Sequence, residues 1–116
     1  IRIDGSVSHS DRQAAVKRFQ TDDTVRVALL GMLAAGQGLT LNAADTVVFA
    51  ELHVTPGILV QAEDRAHRIG QHSAVNVHFL VARGTLDEPV WRMVSRKLDV
   101  TSRALNGTTQ AMGAEQ

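Results

Sequence analysis

An α/β domain built on a mostly parallel sheet is the fold class this sequence predicts, and three observations predict it. Two runs, "VRVALL" at 25–30 and "TVVFA" at 46–50, are short, β-branched and almost wholly apolar, which suits strands covered on both faces. Between such runs lie stretches with helical spacing and recognisable start signals. The two kinds of segment alternate, the order that layers helices on a parallel sheet and puts ligands at the carboxyl ends of its strands.

Taken in order, "IRIDG" at 1–5 opens on an alternating apolar residue with no turn signal before it. The expectation is a sheet truncated at its N-terminal strand. Ser8 is placed to cap a helix, with Asp11 three residues later as a capping-box variant, and Ala15, Val16 and Phe19 supply the buried stripe. Asp22 and Asp23 end that helix. The 25–30 strand follows, then a glycine-bearing loop, "GMLAAGQGLTLNAAD", then the 46–50 strand. Thr55 caps and Pro56 opens the next helix, which Gly70 closes at about the C′ position. "VNVHFLVA" at 75–82 reads as another strand. Thr85 and Glu88 form a second capping box, and Val90, Trp91, Val94 and Leu98 stripe a final helix of about four turns. The remainder, 102–116, is small, polar and aperiodic, so a domain over 1–101 with a frayed or disordered tail is expected.

Composition narrows the function classes. The chain has 116 residues, 44% of them hydrophobic, no cysteine, and twelve basic residues balanced by twelve acidic ones. That length supports one small domain. Disulfides and thiolate metal sites are excluded, and the five histidines have no carboxylate cluster at ligand spacing, so no metal site is expected. No run approaches the ~18 apolar residues of a membrane helix, so no membrane partner is expected. A net charge of zero argues against coating nucleic acid by bulk electrostatics; any such contact is local. Ten of the twelve basic residues are arginine, a bias toward oriented phosphate contacts.

The densest charge lies in "QAEDRAHRIGQ" at 61–71. At 100° per residue, with Gln61 at zero, Arg65 falls at about 40° and Arg68 at about −20°, while Ile58, Ala62, Ala66 and Ile69 fill a sector from about 60° to 140°. The apolar sector can dock on a sheet while Gln61, Arg65 and Arg68 share an outward face. Two readings follow from the residues alone: surface ion pairs with neighbours such as Glu63 and Asp64, or a guanidinium pair aimed at a phosphate.

This segment resembles the sixth motif of the Swi/Snf-type ATPases, the DNA-translocating branch of superfamily 2 helicases, through its Gln-x-x-x-Arg-x-x-Arg spacing and its His-Arg-Ile-Gly-Gln ending. "RIDGS" at 2–6, "AAGQGLTLNAAD" at 34–45 and "VVFAEL" at 47–52 follow the family's order, so the resemblance covers nearly all of residues 2–100. "FAEL" and "LVARGTLDEPVW" are most similar to the annealing-helicase or fork-remodelling group. The resemblance implies a RecA-like three-layer fold, the second lobe of a two-lobe motor. The Gly-x-x-x-x-Gly-Lys-Ser/Thr loop and the Asp-Glu magnesium site that belong to a first lobe do not occur here.

In such motors ATP with Mg²⁺ lies between lobes, the magnesium held by the first. The resemblance implies that Arg68 is the arginine finger, Arg65 its partner on the γ-phosphate, and Gln61 a residue that helps position them, from a helix that holds them ready for closure. It implies an ATP-binding role for Gly36, Gly38 and Thr40, with Thr40 near the ribose. It gives Gly5, Ser8 and Arg12 to the DNA backbone, where unpaired amides and the helix dipole favour an anion. Double-stranded or forked DNA and the first lobe of the same polypeptide are the implied partners, the nucleus the implied location. The isolated chain is expected to hydrolyse no ATP.

Several residues keep plainer readings beside these. Gly36 and Gly38 can be turn residues; Leu41 stands where a dinucleotide fingerprint needs a third glycine. Trp91 belongs to a core stripe rather than a base-stacking surface, and His67 to a structural hydrogen bond. Glu51 fits either an interlobe contact or a turn cap. Departures from the family pattern fall at Gly31 and Leu33, where serine and threonine are expected, and at Val54 and Thr55, where tryptophan and asparagine are. They motivate a second hypothesis, a degenerate motor lobe that serves only as a DNA or protein interaction module. A free-standing nucleotide-binding protein is a third.

Overall fold

Strands and helices alternate along the chain in a computed structural model that describes residues 1–35, 38–63 and 75–106. The order is β1 (Arg2–Ile3), α1 (His9–Thr21), β2 (Leu29–Leu30), α2 (Met32–Ala35), β3 (Thr46–Phe49), α3 (Pro56–Glu63), β4 (Asn76–Phe79) and α4 (Asp87–Asn106). The predicted alternation of element types is therefore observed.

β1 and β2 pair in parallel, Arg2 opposite Leu29 and Ile3 opposite Leu30. The ladder is extended by Leu29 N–H to the Ile1 carbonyl at 2.9 Å and Gly31 N–H to the Ile3 carbonyl at 2.8 Å. β3 and β4 form the other sheet. There Asn76 N–H meets the Asp45 carbonyl at 2.8 Å, and Leu80 N–H meets the Phe49 carbonyl at 3.0 Å. Both strands advance by the same step between the two bonds, the sense of a parallel pair.

The chain divides into two compact units, Ile1–Val47 with Gly57–Val77, and Val48–Pro56 with His78–Gln116. In the first, Ile3, Phe19, Ala34, Leu39 and Leu41 form a buried cluster, with Ala15, Val16, Val25, Ala28, Leu30 and Ala44 packed against it. This is the stripe expected of α1. Ser8 caps the helix by accepting from Asp11 N–H, and Asp22 ends it. In the second unit Val94 and Leu98 are buried on α4 as the stripe predicts. Phe79 stacks on Phe49 with ring centroids 4.8 Å apart and meets Trp91 at 4.8 Å. Trp91 is thus a packing residue, as expected.

The structure corrects several expectations. The strand expected over 25–30 pairs only at Leu29–Leu30, and the Val25 N–H to Asp22 carbonyl bond, 3.0 Å, draws the start of that run into a turn. The parallel pairing that the fold class predicts is present, in small sheets of two strands each among the described residues. The strands are not covered on both faces. β3 alternates, with Thr46 and Val48 exposed, Val47 half-buried and Phe49 buried, and β4 follows the same two-residue period. The glycine-bearing loop contains a turn of helix, α2, formed by the strong helix formers Met-Leu-Ala-Ala.

The second capping box is displaced. Leu86 offers the first helical carbonyl, to Val90 N–H at 3.1 Å. Thr85 Oγ1 accepts from Asp87 N–H at 3.1 Å, and the Asp87 carboxylate, not that of Glu88, reaches back to Ala82 N–H at 3.0 Å. α4 then continues to Asn106, past the expected start of the tail at 102; Arg103, Ala104 and Leu105 are good helix formers. The rest of the tail, 107–116, and the Gly70 helix end lie outside the described residues.

Burial separates two apolar residues on paired strands. Ile3 is 0% exposed and Leu29 is 64% exposed. Ile3→Ala should cost about 2–5 kcal/mol and Leu29→Ala no more than about 0.5 kcal/mol, read by urea unfolding followed at the helical circular-dichroism band. Equal costs would contradict the assignment of the core.

Candidate functional site

The turn from β1 into α1 is organised by Asp4. Its side chain accepts from Ser6 N–H at 2.9 Å and from the Ser6 hydroxyl, and Arg2 Nε donates to its other oxygen at 3.0 Å. These bonds, the Ser6 hydroxyl first, hold the carboxyl below its ordinary value of 3.8. The Asp4 carbonyl accepts from Val7 N–H at 3.2 Å, closing the turn. Gly5 is exposed at its tip with nothing within 4 Å of where a Cβ would stand.

Ser8 begins the helix. Its hydroxyl accepts from Asp11 N–H at 3.2 Å and donates to the Asp11 carboxylate at 2.8 Å. A helix start with a capping hydroxyl and an acid in its first turn is stabilised by both the bond and the dipole. Arg12 is half-buried and turned inward: Nε donates to the Val7 carbonyl at 3.1 Å and Nη2 to the Asp4 carbonyl at 3.2 Å. Gly5, Ser8 and Arg12 are therefore brought into one turn at the carboxyl end of β1, with Arg12 as its clasp.

Gly31, at the carboxyl end of β2, backs onto this turn. A Cβ there would meet Asp4 Cα and Cβ at 3.6 Å, ordinary contact. Leu33, the other departure in this segment, is exposed. Gly38 has φ of 76°, a left-handed conformation that a side chain would strain, and open space around it. Thr40 is half-buried between the buried Leu39 and Leu41. Gly38 is exposed at the head of a segment that Leu39 and Leu41 anchor on either side of Thr40. Gly36 lies outside the described residues.

Sequence reading missed Gln20. From the last turn of α1, its carbonyl oxygen accepts from Ala43 N–H at 2.8 Å and its amide nitrogen donates to Asn42 Oδ1. The Ala44 N–H to Leu41 carbonyl bond, 3.0 Å, closes the turn so gripped. The signal available was only a polar residue after buried Phe19; its partners are more than twenty positions away.

α3 opens at Pro56 as expected. In its described turns Leu59 is buried, Ile58 and Ala62 are half-buried and Gln61 is exposed, the division that the helical angles predict. Arg65 and Arg68, with His67, lie outside the described residues. In the second unit, Glu51 is exposed beyond β3, His53 Nδ1 accepts from Thr55 N–H at 3.0 Å, and Lys97 Nζ donates to the Val54 carbonyl at 3.4 Å. Among the described residues no three His, Asp or Glu side chains are grouped to hold a metal ion, and no helix is long and apolar enough to cross a membrane.

Comparison with known proteins places this geometry. Residues 1–70 match the family described as the helicase conserved C-terminal domain. The DNA annealing helicase and endonuclease ZRANB3 of Homo sapiens is 58% identical over 116 residues, covering 100% of this chain and 11% of that protein. The SWI/SNF-related matrix-associated actin-dependent regulator of chromatin subfamily A-like protein 1 of Xenopus tropicalis is 54% identical over 104 residues, covering 90% of this chain and 11% of that protein. The chain thus spans 11% of the length of each of these two relatives. The crystal structure of the C-terminal part of the Fun30 ATPase domain superposes with a TM-score of 0.78 at 32% identity, covering 81% of this chain and 30% of that one.

Two outcomes follow from the turn. Ser8→Ala should lower stability by about 1 kcal/mol through loss of the cap, seen as a shifted urea midpoint with an unchanged slope; no shift would remove the capping role. Asp4, depressed below 3.8, favours the folded state fully above that pH, and the contribution is lost as pH falls through the lower folded value. Asp4→Asn should therefore flatten the acid limb of stability against pH; a limb as steep as the parent's would contradict it.

Proposed function

Because the chain belongs to the helicase conserved C-terminal domain family, we propose that it is the second RecA-like lobe of an ATP-dependent double-stranded DNA translocase of the Swi/Snf type, one that reanneals or remodels forked DNA in the nucleus. The observation that carries this reading is that a single family match, 1–70, runs through all nine candidate residues in order, from Gly5, Ser8 and Arg12, through Gly36, Gly38 and Thr40, to Gln61, Arg65 and Arg68. The identity to an annealing helicase over the whole chain supports the subgroup.

The residues present fit a nucleotide. Gly38 leaves open space beside a strained backbone that only glycine holds without cost, and Thr40 stands on buried neighbours that fix its position. Bound ATP, with magnesium on a first lobe, supplies the phosphoanhydride whose cleavage the motor uses. This chain's part would be to orient: Arg68 and Arg65 toward the γ-phosphate, with Gln61 helping to position them, and the Gly38–Thr40 segment against the sugar side. On the other side, exposed Gly5 and the Ser8-capped start of α1 meet the DNA phosphate backbone, where helix amides favour an anion. Arg12, which clasps that turn, adds charge at the same place.

In the full-length protein, Arg68→Ala should lower DNA-stimulated ATP hydrolysis by roughly 10³- to 10⁵-fold with folding retained. Near-normal turnover in the variant would defeat the finger assignment, whereas a full-length parent with no DNA-stimulated turnover would favour the interaction module. Arg12→Ala should weaken DNA binding and reduce the dependence of log affinity on log salt by about one unit; an unchanged slope removes Arg12 from the phosphate contacts.

A further inference from the structure

We infer that Gln20 is a positioning residue that couples the nucleotide segment of this lobe to its DNA-facing helix, by locking the turn that follows Thr40 to the far end of α1. The inference rests on the reading above, in which Gly38 and Thr40 serve the nucleotide while Gly5 and Ser8 serve the phosphate backbone.

α1 is thirteen residues long, about 20 Å of rigid helix, and it is fastened at both ends. At its start, Arg12 grips the Asp4 and Val7 carbonyls, so the turn that holds Gly5 and Ser8 moves with it. At its end, the Gln20 amide presents an acceptor to Ala43 N–H and a donor to Asn42 Oδ1. Two consecutive residues of the loop are thereby held by one planar group. Leu39 and Leu41, which flank Thr40, belong to the same buried cluster as Phe19, the neighbour of Gln20. Apolar contact of this kind is non-directional and alone tolerates sliding of the loop along the helix. The paired amide bonds are directional and fix its register. A displacement of α1 by DNA is then passed to Thr40 rather than absorbed in the loop.

The test uses the full-length protein and compares ATP hydrolysis with and without double-stranded DNA, while DNA affinity is measured separately by fluorescence anisotropy. Gln20→Ala removes both bonds. Basal hydrolysis and DNA affinity should hold, and the stimulation by DNA should fall about fivefold, the scale of one or two lost hydrogen bonds. Gln20→Glu keeps the acceptor for Ala43 N–H, and the Asn42 amide can turn to donate to the new carboxylate, so stimulation should return toward that of the parent. A parent that is stimulated while Gln20→Ala is stimulated equally overturns the coupling and leaves the motor reading intact. A parallel loss of basal and stimulated rates in both variants overturns it as well, because that is the behaviour of a merely structural residue. A parent that DNA does not stimulate overturns both.

Discussion

The first unit depends on how the chain leaves β1, and that is decided by Asp4. One residue terminates a strand, turns the backbone and starts a helix, using its carbonyl for Val7 N–H and Arg12 and its carboxylate for Ser6 and Arg2. Ile3, next to it, is fully buried, so the turn is pinned to the core on one side and opens to solvent on the other. The ion pair to Arg2, 2.8 Å long, is mostly exposed on the arginine side and contributes little on its own. Directional bonds to the backbone do the orienting. Their product is a capped helix start beside the carboxyl end of a parallel strand, the place where α/β folds receive ligands.

Gly38 imposes a second constraint. A left-handed backbone at that position turns the chain between α2 and the buried pair Leu39 and Leu41, whose burial then sets Thr40 with its flanks anchored. The residues proposed to face ligands are accordingly short, and their placement is done by neighbours: Phe19 and Leu41 in the core, Gln20 and Asp4 by hydrogen bonds. The division suits the proposed surface, which would meet both a nucleotide and a duplex backbone.

What the sequence made legible was local in chain distance. Ser8 with Asp11, the stop at Asp22, the opening at Pro56 and the α4 stripe each rest on residues within one or two turns of one another, and each is observed. The strand lengths were not legible, because an apolar run such as 25–30 does not say how many of its residues find a partner. Nor was the α4 start, where Asp87 and Glu88 are equally plausible by type and the reach of the side chain selects Asp87. The grip of Gln20 on Asn42 and Ala43 joins positions more than twenty apart, a pairing that only the fold creates. For the site, Gly5, Ser8 and Arg12 lie close together in the sequence, but the bonds of Arg12 to the Val7 and Asp4 carbonyls are not legible there. Arg65 and Arg68 rest on motif spacing alone.

The stack of Phe49, Phe79 and Trp91 has an optical consequence. The chain contains one tryptophan and no tyrosine, and that indole sits against Phe79 in the second unit, while the core of the first has Phe19 as its aromatic member. Ultraviolet emission excited at the red edge therefore originates wholly from the half of the molecule that carries α4. The Asp4 turn and the Gly38 segment are dark at that wavelength. Loosening of one half without the other would separate the emission signal from the ellipticity of the whole chain, giving this lobe a built-in reporter of whether its two units melt together.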